Sequence, residues 1–196
     1  MIAKRIFDLL LAIPGLISLS PLFLLVAVWV KADSRGPVFF RQERVGRFGR
    51  PFRIYKFRTM YHDAEGGDIL LTVSNDARIT RPGSFLRHYK IDELPQLINV
   101  VIGNMSMVGP RPEVPKYIAY YPPGVRDIVL SVLPGITDYA SIVFKNENLL
   151  LSRSDEPERA YIEEILPIKL QHYQKYVTTR SVWLDFKLIL LTLKNL

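Results

Sequence analysis

The sequence predicts an α/β protein in which a small antiparallel β-hairpin sheet is surrounded by helices and preceded by an apolar helix of membrane scale. Three observations predict it. Leu9 to Val30 contains no charged residue. Two strand-like segments, Val38 to Val45 and Phe52 to Met60, flank a turn rich in Gly and Pro. Apolar residues recur at helical spacing in several later segments. With 196 residues, 48% of them apolar, the chain builds one core and one site. The absence of cysteine excludes disulfides and thiolate metal sites, and His62, His88 and His172 are too scattered for a histidine zinc site. A hard cation held by carboxylates remains compatible. The net charge of +7 calls for an anionic partner: nucleic acid, anionic lipid or a phosphorylated substrate.

The apolar run is longer than a signal-peptide core, and Lys31-Ala32-Asp33-Ser34-Arg35 offers no small-residue cleavage site, so the run is expected to be retained. As a straight helix it measures roughly 33 Å, enough to cross a bilayer. Pro21 follows Ser18-Leu19-Ser20 near its middle. The proline ring removes a backbone hydrogen bond, which serine hydroxyls can replace, and a kink there leaves two legs of about 15 Å. Lys4 and Arg5 precede the run, and Lys31 and Arg35 follow it. This bias places both ends in the cytoplasm. A re-entrant hairpin meets both observations, and a kinked spanning helix meets the first; the residues alone leave both open. The chain is thus expected to divide into residues 1–35, a membrane helix and its flanks, and 36–196, a domain carrying most of the charged residues.

After Gly36-Pro37, the strands Val38 to Val45 and Phe52 to Met60 enclose the turn Gly46 to Pro51. Under a two-residue period Lys56 and Arg58 share a face, roughly 7 Å apart. Two cations on a rigid strand suit a diphosphate, and they equally suit a solvated edge strand. Tyr61 to Pro82 reads as a polar loop broken by Gly66-Gly67 and Ser74-Asn75-Asp76, followed by a short helix around Ser84 to Tyr89. Leu94, Leu97, Ile98 and Val101 then recur at helical spacing, which predicts an amphipathic helix with Asp92 near its N-cap, Pro95 in its first turn and Gly103 at its end. Ser106 to Pro115 carries three prolines. It is expected to be a rigid, irregular loop presenting Arg111. Two helices follow, one from Glu156 to Val177 interrupted at Pro167 and one from Ser181 to Leu193. The second is apolar nearly all round, so it is buried or lies at a bilayer surface as an interfacial helix.

Adjacent acids at a helix start commonly do no more than cap it. In this context Asp92 could instead attack phosphorus, because a helix N-terminus stabilises an ionised carboxylate and a divalent ion neutralises its repulsion from phosphate. Glu93 could support that ion. Lys56, Arg58, Arg87 and Arg111 could converge on phosphate oxygens.

Several short segments occur in order: Ser20-Pro21, Lys56-Phe57-Arg58-Thr59-Met60, Asn75-Asp76-Ala77-Arg78-Ile79-Thr80, Asp92-Glu93-Leu94-Pro95-Gln96, Val108-Gly109-Pro110-Arg111-Pro112 and Pro134-Gly135-Ile136-Thr137. Together they resemble the monotopic phosphoglycosyl transferases among the bacterial sugar transferases, across nearly the whole chain. The resemblance implies a re-entrant helix broken at Ser20-Pro21 and an active site on the cytoplasmic face of the bacterial inner membrane. It also implies Mg²⁺ held at Asp92 and Glu93, Asp92 as covalent nucleophile, and nucleotide or phosphate binding by Lys56, Arg58, Arg87 and Arg111. The implied donor is a UDP-sugar, the acceptor polyprenol phosphate and the by-product UMP, with membrane lipids rather than nucleic acid as the surrounding partner. The length resembles that of the family's minimal catalytic form. The chain departs from the family pattern at Asp138-Tyr139-Ala140-Ser141, Asn104 and Tyr173, which bear on the sugar and the nucleotide contact. Two other readings fit the residues: a membrane-tethered protein binding anions or nucleic acid, and a metal-dependent phosphohydrolase.

Overall fold

The computed structural model describes residues 2–62 and 76–195. Its first element, α1 (Ile2–Asp33), is helical throughout despite Pro14 and Pro21. Pro21 has no N–H for the Ile17 carbonyl, and the Ser20 hydroxyl donates to that carbonyl at 2.7 Å instead. The expected break at Ser20-Pro21 is therefore a side-chain-repaired position within one helix, and the helix does not end there.

Gly36, at φ +122°, turns the chain from α1 into the hairpin of β1 (Phe39–Val45) and β2 (Pro51–Phe57). These strands pair antiparallel with Phe40 opposite Lys56 and Gln42 opposite Ile54. The second strand is shorter than expected. It ends at Phe57 because Arg58 turns inward to bond the C-terminal end of α1. Most of the loop expected over 61–82, with Gly66-Gly67 and Ser74-Asn75, lies outside the described residues. α2 (Arg81–His88) is capped by Thr80, whose side chain accepts from the Gly83 N–H at 3.0 Å. A 3-10 turn at Ile91–Glu93 leads into α3 (Gln96–Ile102).

Ser106–Val108 is a strand, β3, where an irregular loop was expected. It pairs in parallel with β4 (Gly135–Thr137), so its partner lies far away in sequence and the prolines begin only after it ends. Gly109 and Gly135 meet backbone to backbone, with no room for a Cβ at either. That close approach explains the glycine in both segments.

The remaining elements are α4 (Pro115–Ile118), α5 (Pro123–Val129), α6 (Tyr139–Val143), α7 (Glu147–Leu151), α8 (Pro157–Ala160), α9 (Leu166–Thr179) and α10 (Val182–Asn195). The interruption expected at Pro167 is a π turn at Tyr161–Ile165, which places Pro167 as the second residue of α9.

The core is divided among several clusters. Tyr117, Tyr121, Val129, Tyr161, Leu166 and Leu170 join α4, α5 and α9. Ala12, Ile54, Leu97, Val100 and Met105 clamp α1, β2 and α3. Val26, Val30, Phe57 and Leu86 seat the far end of α1 on β2 and α2. The domain therefore lines α1 from end to end. Arg5 donates to the Val100 and Val101 carbonyls, Asp8 accepts from Ser106 and Met107, and Lys4 pairs with both Asp8 and Asp185.

Candidate active site

Asp92 and Glu93 sit in the 3-10 turn ahead of α3. The N-cap of α3 is Pro95, which makes no side-chain cap, so Asp92 is not the helix cap that was expected. Pro95 donates no backbone hydrogen bond, and the chain advances through i→i+3 bonds, Leu94 to Ile91 and Leu97 to Leu94. Burial and neighbouring side chains shift the dyad's carboxyls.

Those neighbours arrive on separate elements. Lys56, on β2, donates to Glu93 Oε1 at 2.6 Å. Arg111 follows β3 and forks onto both Glu93 oxygens, at 3.0 Å to Oε2 and in a shorter contact to Oε1. Arg87, in the last turn of α2, donates through Nε to the Thr59 hydroxyl at 2.8 Å and contributes its charge to Asp92. Three of the four cations singled out from the sequence thus surround the dyad. Arg58 does not: it is 1% exposed and spends its guanidinium on the carbonyls of Val30, Ser34 and Arg35 and on the Ser34 hydroxyl. It caps the C-terminal end of α1.

The two acids are driven apart. Burial raises the Asp92 carboxyl, Glu93 adds to that, and Lys56, Arg87 and Lys90 oppose it without prevailing. Burial would raise Glu93 too, but Arg111 and Lys56 outweigh it and hold Glu93 well below the usual carboxylate range. Burial draws Lys56 below the usual ammonium range in spite of Glu93, because the same carboxylate also serves Arg111, which repels Lys56.

Both Glu93 oxygens are committed to cations, whereas Asp92 Oδ1 is buried and has no hydrogen-bond partner among the described residues. Among the described residues no three His, Cys, Asp or Glu side chains cluster as metal ligands. Joint ligation by Asp92 and Glu93 does not match this arrangement. One carboxylate oxygen from Asp92 fits Mg²⁺, which commonly takes one or two carboxylates and completes its shell with substrate phosphates and water.

Sequence reasoning missed two amides of α3. Asn99 is fully buried, and its Oδ1 accepts from Tyr55 N–H at 2.8 Å while its Nδ2 donates to the Arg53 carbonyl at 2.9 Å. It saturates the edge of β2 away from β1 and so fixes Lys56 beside Glu93. Gln96 is buried with no partner at either polar atom among the described residues. The buried face of α3 is Gln96, Leu97, Asn99 and Val100, rotated from the expected Leu94, Leu97, Ile98, Val101 stripe. Two polar residues inside an apolar run were the available signal. Of the departures, Asp138 caps α6 by accepting from the Ser141 N–H at 3.0 Å, and Tyr173 is buried with its hydroxyl unpartnered among the described residues. Both are near enough to Arg111 to raise its proton affinity, though less than Glu93 does. Asn104 lies in the turn after α3, its N–H bonding the Asn99 carbonyl.

The family model for bacterial sugar transferases matches residues 1–196. The chain is 41% identical over 194 residues to a UDP-glucose:undecaprenyl-phosphate glucose-1-phosphate transferase of Xanthomonas campestris pv. campestris, covering 97% of this chain and 38% of that protein. It is 35% identical to a UDP-N-acetylgalactosamine-undecaprenyl-phosphate N-acetylgalactosaminephosphotransferase of Aeromonas hydrophila, covering 98% of this chain and 43% of that one. A Caulobacter vibrioides glucose-1-phosphate transferase is 36% identical, over 98% and 69%. The chain thus spans about two-fifths of the length of the first of these relatives. The whole-chain match, with the dyad and its cations assembled as described, shows that this chain belongs to the bacterial sugar transferase family.

Proposed function

We propose that this chain transfers a sugar 1-phosphate from a UDP-sugar to undecaprenyl phosphate, forming a polyprenyl diphosphate sugar and UMP, with Asp92 as the covalent nucleophile. The observation that carries the reading is the buried, unpartnered Asp92 Oδ1 beside three cations that approach from β2, α2 and the segment after β3. An Asp92 oxygen attacks the sugar-bearing phosphorus, its bond to the UMP oxygen breaks, and UMP leaves. A phosphate oxygen of the polyprenol then attacks the same phosphorus and releases Asp92. Asp92 would hold Mg²⁺, which would supply charge neutralisation during the transfer. Lys56 and Arg111, pre-positioned by Glu93, bind phosphoryl oxygens, and Arg87 holds the phosphate side of the site. All three relatives are named for transfer involving undecaprenyl phosphate, two with glucose and one with N-acetylgalactosamine as the sugar.

Membrane association is supported by two helices whose amphipathy is inverted relative to a water-facing surface. α1 buries Asp8 and exposes Leu10, Ile17, Leu24 and Leu25; α10 buries Asp185 and exposes Trp183, Phe186 and Leu190. Lipid tails, unlike water, accept such faces. Because the charged domain lines α1 along its length, a straight crossing would carry that domain into hydrocarbon. We therefore place both ends of α1 on the cytoplasmic face of the inner membrane, with its apolar side in the bilayer.

The test is incubation of the protein with Mg²⁺, undecaprenyl phosphate and a panel of UDP-sugars, scored by UMP release. Omitting the acceptor should leave one sugar-phosphate mass on Asp92, and Asp92→Asn should abolish both adduct and turnover. Turnover that survives in Asp92→Asn with sequential kinetics removes the nucleophile assignment. UMP release with free sugar phosphate and no need for the polyprenol favours a phosphohydrolase.

A further inference from the structure

Gln96 is 1% exposed, and neither its Nε2 nor its Oε1 has a hydrogen-bond partner among the described residues. Native proteins leave few buried amides unpaired, because the unpaired group has lost its water and gained nothing. Asn99 shows what the same chemistry does when its role is structural: three residues along the same helix and equally buried, it bonds β2 through both ends of its amide.

The position of Gln96 indicates what its amide serves. It opens α3, three residues after Glu93 and four after Asp92. Helical side chains lean toward the N-terminus, so the amide is directed back over the turn that carries the dyad. The other orphaned polar atom in this segment is Asp92 Oδ1. Two buried groups without partners therefore occupy successive turns at one site. Lys56, Arg87 and Arg111 can donate to anionic oxygens but cannot accept a hydrogen bond. A sugar phosphate carries hydroxyl donors as well as phosphoryl acceptors, and a neutral carboxamide serves both without adding charge.

We propose that Gln96 is a donor-binding residue whose carboxamide hydrogen-bonds the transferred sugar phosphate, with Nε2 donating to a phosphoryl oxygen and Oε1 accepting from a sugar hydroxyl. The assignment rests on the transferase reading above. UMP, which lacks both the transferred phosphate and the sugar, makes neither contact, so Gln96 contributes to recognition of the donor's sugar phosphate rather than to nucleotide affinity.

Gln96→Met keeps the size of the side chain and removes both polar atoms. The expected result is a melting temperature equal to wild type or raised by about 2–4 °C, since an unpaired buried amide is removed. The kcat/KM for the preferred UDP-sugar falls at least tenfold, while UMP affinity by titration calorimetry stays within about twofold. Gln96→Asn, which keeps an amide but shortens its reach, should retain the fold and also lose donor efficiency. Wild-type donor efficiency in either variant overturns the proposal. A melting temperature that falls together with activity in both variants makes Gln96 structural and overturns it, and an equal loss of UMP and UDP-sugar affinity assigns the amide to the nucleotide and does the same. Absence of UMP release by the wild-type protein from every donor would instead refute the transferase reading, so the two failures are distinct.

Discussion

Lys56 and Arg58 are two residues apart, yet they do different work, and substitution should separate them. Removing Lys56 leaves Glu93 paired with Arg111, so Lys56→Ala is expected to cost less than about 1.5 kcal/mol of stability. Its donor kcat/KM should fall at least tenfold, about 1.4 kcal/mol of transition-state stabilisation. Arg58→Ala strands buried carbonyls at the end of α1 and should cost about 3 kcal/mol, a fall of roughly 6–12 °C in melting temperature for a chain of this size. Thermal melts and steady-state kinetics of the two variants check this. A large kinetic loss in Arg58→Ala at unchanged stability would return that residue to the phosphate site.

Among the elements, α6 gives a pH-dependent expectation. Its cap Asp138 is buried, and desolvation raises its carboxyl above the usual value of 3.8 although Ser141 bonds and Arg111 oppose this. A carboxyl with a raised folded value contributes its stability fully below pH 3.8, and the contribution is lost as the pH rises through the folded value. Asp138→Asn keeps an oxygen for the Ser141 N–H and cannot ionise. The variant is therefore expected to be at least as stable as wild type near pH 7, with the difference closing as the pH falls toward 4. Melts across that range test it, and a variant less stable at pH 7 by more than about 1 kcal/mol would show that the Arg111 attraction outweighs burial. α10 illustrates a related point: Asp185 is buried only because Lys4 of α1, at 2.7 Å, and the Tyr176 hydroxyl, at 2.8 Å, receive it.

At the scale of the whole molecule, the question is how α1 meets a bilayer. The chain has no cysteine, so Ala3→Cys and Asp33→Cys place single thiols at exposed positions on either end of α1. Both are expected to react with an impermeant thiol reagent in inverted membrane vesicles and neither in intact spheroplasts. Labelling of the residue-3 thiol from the periplasmic side would establish a spanning helix and would require the contacts of Lys4, Arg5 and Asp8 with the domain to open. In the proposed placement, the aromatic pair Trp29 and Phe85, with ring centroids 5.4 Å apart, and Tyr89 beyond it would lie at one end of the side facing lipid, where such rings settle at an interface.

The local chemistry was legible in the residues: the apolar helix, the hairpin, the serine that repairs the Pro21 gap, the acidic pair and three of its four cations. These follow from periodicity, turn chemistry and charge, which act over a few residues. What depends on distant contacts was not legible. β3 exists because Gly109 and Gly135 let two segments meet backbone to backbone, and local sequence showed only prolines. Arg58 lies on the same alternating strand pattern as Lys56, but the unsatisfied carbonyls at the end of α1 draw it away. Gln96 and Asn99 look alike in an apolar run; one meets the open edge of β2 and the other meets no polar partner among the described residues. The sequence by itself determined which groups could act on a phosphate. Only the tertiary structure decided which of them stand at the dyad and which are consumed in holding it, because burial and the partner across the fold settle where each polar group can be satisfied.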